Sequence, residues 1–138
     1  MKKILIVYSK EGQISDYAQA LKKGAEKSGH QVTLKEAVVN RHDIISCHSY
    51  DLLVVASPLN GIIKVKIAED IRSFLSQLKR TGGQEAIAFT KRKLIGTDKG
   101  LRSLMATMEK EGCIVKDFRA FKSKEEAFQY GEQIKNRI

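Results

Sequence analysis

Lys3-Ile4-Leu5-Ile6-Val7-Tyr8 runs straight into Ser9-Lys10-Glu11-Gly12-Gln13-Ile14-Ser15, after which Ile14, Tyr17, Ala18, Leu21 and Ala25 recur at the spacing of one helix face. A short apolar run bounded by a polar, glycine-containing loop reads as a buried strand. The helix after it reads to near Gly29, since glycine favours the left-handed conformation that closes helices. Strand, loop and helix in this order aim backbone N–H groups and the positive end of a helix dipole at one spot beyond the strand's carboxyl end. That spot suits a phosphate or another anion.

The same alternation continues. Gln31 to Ala37 reads as a second strand, and Asp51 to Ser57 as the clearest buried strand, with a short helix expected within Asn40 to Tyr50. Ile67, Ile71, Phe74, Leu75 and Leu78 mark a helix ending at Gly82-Gly83, followed by a strand over Ala86 to Thr90. Leu101, Leu104, Met105 and Met108 mark the next helix, closed by Gly112, and Cys113 to Phe121 holds a fifth strand. Ser123 with Glu126 three residues on reads as the capping box of a last helix. Strands alternating with helices predict an α/β fold: a three-layer α/β/α sandwich around a five-stranded parallel sheet of order 2-1-3-4-5. There is no repeat, low-complexity tract or linker, so residues 1–138 read as a single domain.

Hydrophobic residues make up 42% and charged residues 30%, a balance that argues against disorder. Leu52-Leu53-Val54-Val55-Ala56 is far shorter than the roughly 20 residues of a membrane span. Only five residues separate Met1-Lys2-Lys3 from Ser9, fewer than the roughly 7–15 of a signal-peptide core, so a cytoplasmic location is expected. Cys47 and Cys113 lie in or beside apolar runs without CxxC spacing and read as reduced and buried. Lysine and arginine number 25 against 16 acidic residues, a net charge of +9. Such a surplus favours anionic contacts. The basic residues are spread along the helices, with one dense run at Lys91-Arg92-Lys93 and no interleaved aromatics, which argues against a nucleic-acid reader.

In a parallel sheet of this kind, ligands bind beyond the carboxyl ends of the strands. The loops Ser9 to Ser15, Ser57 to Gly61 and Thr90 to Gly96 leave those ends. The first has neither the GxxxxGK[ST] nor the GxGxxG pattern, and an ordinary strand-to-helix turn would look much the same. His30, His42 and His48 show no metal-ligand spacing, and no nucleophile–base pair can be assembled, so neither a metal nor a catalytic residue is assigned.

Taken together, these segments resemble the flavodoxin family, whose phosphate loop has the form [ST]-x-x-G-x-[ST]. Tyr8-Ser9-Lys10-Glu11-Gly12-Gln13-Ile14-Ser15-Asp16-Tyr17-Ala18 is most similar to the loop of short flavodoxin-domain proteins and menaquinone-dependent protoporphyrinogen oxidases. Tyr50 through Gly61 resembles the family's third strand and second loop, and Ile87-Ala88-Phe89-Thr90 its fourth strand. The resemblance covers nearly the whole chain. It implies FMN as cofactor and a redox, electron-transfer role. Ser9, Lys10, Glu11, Gly12, Gln13, Ile14 and Ser15 would surround the phosphate; Ser57, Pro58, Leu59, Asn60 and Gly61 would border the isoalloxazine, with Thr90, Lys91 and Arg92 on its other side.

The sequence departs from the family pattern at three places. The last loop hydroxyl falls on Ile14, with Ser15 beside it, and the aromatic that stacks on the flavin falls on Asn60. Loss of a stacking contact of about 1–3 kcal/mol weakens binding about tenfold or more. Flavodoxins are usually acidic, whereas Lys10, Lys64, Lys91, Arg92 and Lys93 line or flank these loops. Cations there would stabilise an anionic reduced flavin and raise its potential. The alternative reading is a flavin-less binding module that takes another phosphate-bearing small molecule, or an acidic protein partner, on the same basic rim.

Overall fold

The computed structural model describes residues 1–38, 47–61, 65–78 and 82–137, without the side chains of His48, Asn136 and Arg137. Its elements, in chain order, are β1 (Lys3–Tyr8), α1 (Ile14–Lys27), β2 (Gln31–Glu36), β3 (Leu52–Ala56), β4 (Leu59–Asn60), β5 (Lys66–Ile67), α2 (Glu69–Ser76), β6 (Glu85–Lys91), α3 (Thr97–Lys110), β7 (Ile114–Phe121) and α4 (Lys124–Glu132). The main sheet has the order β2-β1-β3-β6-β7, with every pair parallel. This is the expected 2-1-3-4-5 arrangement; the small antiparallel pair β4–β5 is an excursion between the third and fourth principal strands.

Side-chain alternation divides the core into two layers. Leu5, Val7, Leu53, Val55, Ala86 and Ala88 face α2 and α3. Ile4, Ile6, Leu52, Val54, Ile87 and Phe89 face α1 and α4. The central strands are buried on both faces, which explains their unbroken apolar runs. Met108 belongs to the α3 layer, with Met105 packed against it. Both cysteines are free and buried in that layer, and burial pushes their thiols up to about 11.

One expectation needs correction. Ile67 lies in β5, not in the helix; α2 begins only at Glu69, because residues 66–67 pair with Leu59 and Asn60. The short helix expected within Asn40 to Tyr50 falls largely outside the described residues, and its described end is a single 3-10 turn, Cys47–Ser49. At α4, Ser123 Oγ accepts the Glu126 N–H at 3.2 Å as a capping box requires. The Glu126 carboxylate, however, accepts from the Lys122 N–H at 3.3 Å, one residue before the cap. In β7 one extra residue stands between the partners of Ala86 and Ile87, so Asp117 pairs with Ile87. Asp117 Oδ2 there accepts the Tyr130 O–H of α4 at 2.7 Å.

Candidate functional site

The carboxyl ends of β1, β3 and β6 lead into the three loops singled out above. In the first, Gly12 (φ 64°) and Gln13 (φ 58°) are both left-handed. Gly12 is required twice over: by its φ, and because a Cβ there would stand 2.6 Å from Pro58 Cβ. The first and second loops therefore touch through Gly12 and Pro58. Gln13 is the N-cap of α1 and makes no side-chain cap bond. The N–H groups of Gly12 and Gln13 meet no acceptor among the described residues. An uncapped helix start with open donors is the arrangement that receives an anion.

The start of the same loop is already engaged. Ser9 is fully buried, and its hydroxyl donates to Asp70 of α2, 2.8 Å from Oδ1 and 2.9 Å from Oδ2. The Lys10 N–H donates to Asp70 Oδ2 at 3.1 Å, and Ser9 Oγ in turn accepts the Glu11 N–H at 3.0 Å. Asp70 completes its set by accepting the Ile71 N–H at 2.8 Å. Nothing in the sequence singles out Asp70, since acidic residues are common in the first turn of a helix. Ile14 is fully buried in the α1 layer, so its side chain is core rather than loop surface. Lys10 and Glu11 are exposed, and Ser15 is partly so.

Ser57 closes the second loop on itself. Its hydroxyl donates to Pro58 O at 2.8 Å and accepts the N–H of Ala68, the N-cap of α2, at 2.9 Å. Its own N–H continues the β3–β6 ladder to Phe89 O at 3.2 Å. Leu59 and Val65 carry this excursion onto the third loop and α3. A Cβ on Gly100 would lie 2.4 Å from Leu59 Cδ1, and one on Gly96 2.4 Å from Val65 Cγ2. Asn60 and Gly61 are exposed.

Each basic residue of the third loop is tied to a different neighbour, Arg92 through its main chain. Lys91 Nζ sits 6.0 Å from the centroid of the Tyr17 ring on α1. The Arg92 N–H donates to Phe121 O at 2.9 Å. Lys93 Nζ donates to Gly61 O at 2.5 Å, tying the third loop to the second. Thr97 braces this turn, accepting the Lys93 N–H at 2.9 Å and donating to Lys93 O at 3.0 Å. Thr90 is buried and its hydroxyl donates to Lys91 O at 3.3 Å. Leu94 is fully exposed and Ile95 largely so, leaving an apolar tip beside the three basic residues. Lys64 lies outside the described residues.

The five-stranded order, with three loops gathered over one end of the sheet, can be set beside solved structures. The chain matches the two-electron reduced flavodoxin of Megasphaera elsdenii with a TM-score of 0.73 at 16% identity, covering 94% of this chain and 98% of that one. The fold is that of a flavodoxin. Oxidised flavodoxin 1 of Bacillus cereus superposes with a TM-score of 0.69 at 11% identity, over 99% of both chains. An NAD(P)H:quinone oxidoreductase of Methanothermobacter marburgensis gives 0.63 at 9% identity, over 97% of both. No protein-family model matches the sequence, and no curated protein matches it. These structures do not support the narrower likeness to menaquinone-dependent protoporphyrinogen oxidases.

Among the described residues no cluster of histidine, cysteine, aspartate or glutamate could hold a metal ion. Among the same residues, no helix is long and apolar enough to cross a membrane. His30 accepts the Lys2 N–H at Nδ1 (3.1 Å), which places its proton on Nε2, a buried atom without a hydrogen-bond partner among the described residues. Burial lowers its pKa first, helped by the N-terminal amine, Lys135 and Lys2.

Proposed function

We propose that this chain is an FMN-binding redox protein of flavodoxin type. The observation that carries the reading is the uncapped start of α1, where left-handed Gly12 and Gln13 leave two N–H groups open at the mouth of the sheet. A phosphate there would take those donors and the helix dipole, with the exposed Lys10 ammonium supplying positive charge. Ser15 would add a hydroxyl in the place of the one lost at Ile14. Ser57, Pro58, Asn60 and Gly61 would border the flavin ring, and Thr90, Lys91 and Arg92 its far side. Leu94 and Ile95 offer apolar surface where the family has an aromatic. Bound FMN would supply one- and two-electron chemistry; the protein's residues would hold the phosphate, shield the ring and set its charge environment.

A second reading has its own support. Asp70 sits on the first donors of the loop, and the Lys93–Gly61 bond with the Leu59 and Val65 contacts draws the second and third loops together. Both features favour a flavin-less module for another anion or for an acidic partner protein. One experiment separates the two: the visible spectrum of the purified protein and its titration with FMN, followed by quenching of FMN fluorescence. A yellow protein or saturable quenching supports the flavin reading. A colourless protein that leaves excess FMN unquenched overturns it.

A further inference from the structure

We infer that Asp70 is an internal competitor for the phosphate loop, a positioning residue that sets how strongly the loop takes a phosphate-bearing ligand. The inference rests on the FMN reading above and concerns the same loop. A serine hydroxyl has one proton to give. Ser9 gives it to Asp70, with both carboxylate oxygens within 2.9 Å, so the oxygen it turns to the rest of the loop can only accept, as it does from the Glu11 N–H. The Lys10 N–H is committed to the same carboxylate. Of the first three donors of the loop none is free, while those of Gly12 and Gln13 are open. The loop is therefore split into a half neutralised from within and a half that faces outward.

A phosphate entering at Gly12 and Gln13 meets two obstacles. The Asp70 carboxylate carries like charge at the adjoining donors, and Ser9 presents a lone pair instead of a proton. Full engagement requires Ser9 to turn its O–H from Asp70 to the ligand. Asp70 lies 61 residues from Ser9 in the chain and two residues beyond Ala68, whose N–H is held by Ser57 of the second loop. The exchange thus reaches from the phosphate end of the site to the base of the loop that would border the ring. Neutral asparagine keeps the shape and an acceptor for Ser9 but removes the charge.

The test compares wild type with Asp70→Asn, and with Asp70→Ser as a second variant with a side chain suited to a helix start, each confirmed folded by circular dichroism. FMN and riboflavin are titrated separately, because only FMN carries the phosphate. The inference expects FMN affinity to rise at least about tenfold in the variants, roughly 1.4 kcal/mol, with riboflavin affinity unchanged. Ser9→Ala should matter little beside Asp70 and should cost affinity in the Asp70→Asn background. FMN affinity that stays equal or falls in both folded variants, or a gain shared by riboflavin, overturns the inference while leaving the FMN reading intact. Failure of wild type and both variants to bind FMN overturns the two together.

Discussion

Gly24 of α1 and Gly131 of α4 are each pressed against the other helix's backbone: a Cβ on Gly24 would lie 2.0 Å from Phe128 O, and one on Gly131 2.2 Å from Leu21 O. The contact continues at the helix end, where Ser28 Oγ donates to Glu132 O at 2.6 Å and Lys27 pairs with Glu132 at 3.1 Å. Helix propensity alone would make Gly→Ala stabilising by about 1 kcal/mol at either site. The main-chain clash reverses that sign. Gly24→Ala and Gly131→Ala should each destabilise by about 1–3 kcal/mol or more in denaturant unfolding. Gly82→Ala, where nothing among the described residues stands within 4 Å of an added Cβ, is the control and should be close to neutral.

Ser57→Ala removes the acceptor of the buried Ala68 N–H. Leaving such a donor unpaired costs about 1–3 kcal/mol. The variant should lose that much stability in urea or guanidinium titrations, and amide exchange at Ala68 should quicken.

His30 makes stability depend on pH in one direction. Its folded pKa lies below the ordinary 6.5, so the unfolded chain takes up a proton first on acidification. The contribution is complete above pH 6.5 and is lost as pH falls from there through the folded pKa. Protonation at Nδ1 also ends the bond from the Lys2 N–H. A single such group changes stability by at most about 1.4 kcal/mol per pH unit. His30→Gln, which keeps an acceptor and does not titrate, should flatten the stability profile between pH 7 and pH 5.

The thiols of Cys47 and Cys113, raised to about 11 by burial, should resist alkylation and aromatic disulfide reagents at pH 8 in the native protein. Both should react promptly in guanidinium. A fast native reaction of either thiol contradicts its placement in the α2–α3 core layer.

For the FMN-loaded protein, Lys91 and Arg92 place positive charge on the loop expected to face the ring. The midpoint potential should be higher than in acidic flavodoxins. Lys91→Gln should lower it by roughly 40 mV per electron for each ~1 kcal/mol of lost attraction. A redox titration that finds the wild-type potential as low as in acidic flavodoxins, or no shift in the variant, contradicts this.

The central strands are legible in the sequence because burial on both faces writes them as continuous apolar runs, from Ile4 to Val7 and from Leu52 to Ala56, whereas the edge strands β2 and β7 mix exposed and half-buried residues and are read from the alternation of strand and helix. Helices α1 and α3 are legible through one apolar stripe each, and the cap of α4 through Ser123. Gly12 is legible as a loop glycine, but its approach to Pro58 is not, because the partner comes from another loop. Ile67 misleads because its spacing continues the stripe of Ile71 and Phe74, while its backbone pairs with Leu59. The Ser9–Asp70 and Lys93–Gly61 bonds are the least legible. Each joins residues distant in sequence through groups that, read locally, are an ordinary helix-start acid and an ordinary surface lysine.

Ser57 touches both ends of the excursion that leaves β3 and returns at α2: the carbonyl of Pro58 at its exit and the N–H of Ala68 at its re-entry. One side chain that stays behind in the strand terminus therefore fastens both ends of the segment. The excursion is in this sense hinged on one hydroxyl, while its buried Leu59, Val65 and Ile67 pin it to the core. A different excursion grafted between β3 and α2 would have to keep Ser57, refill the places of Leu59, Val65 and Ile67 in the core, and leave a small residue at Gly100 wherever a leucine occupies position 59.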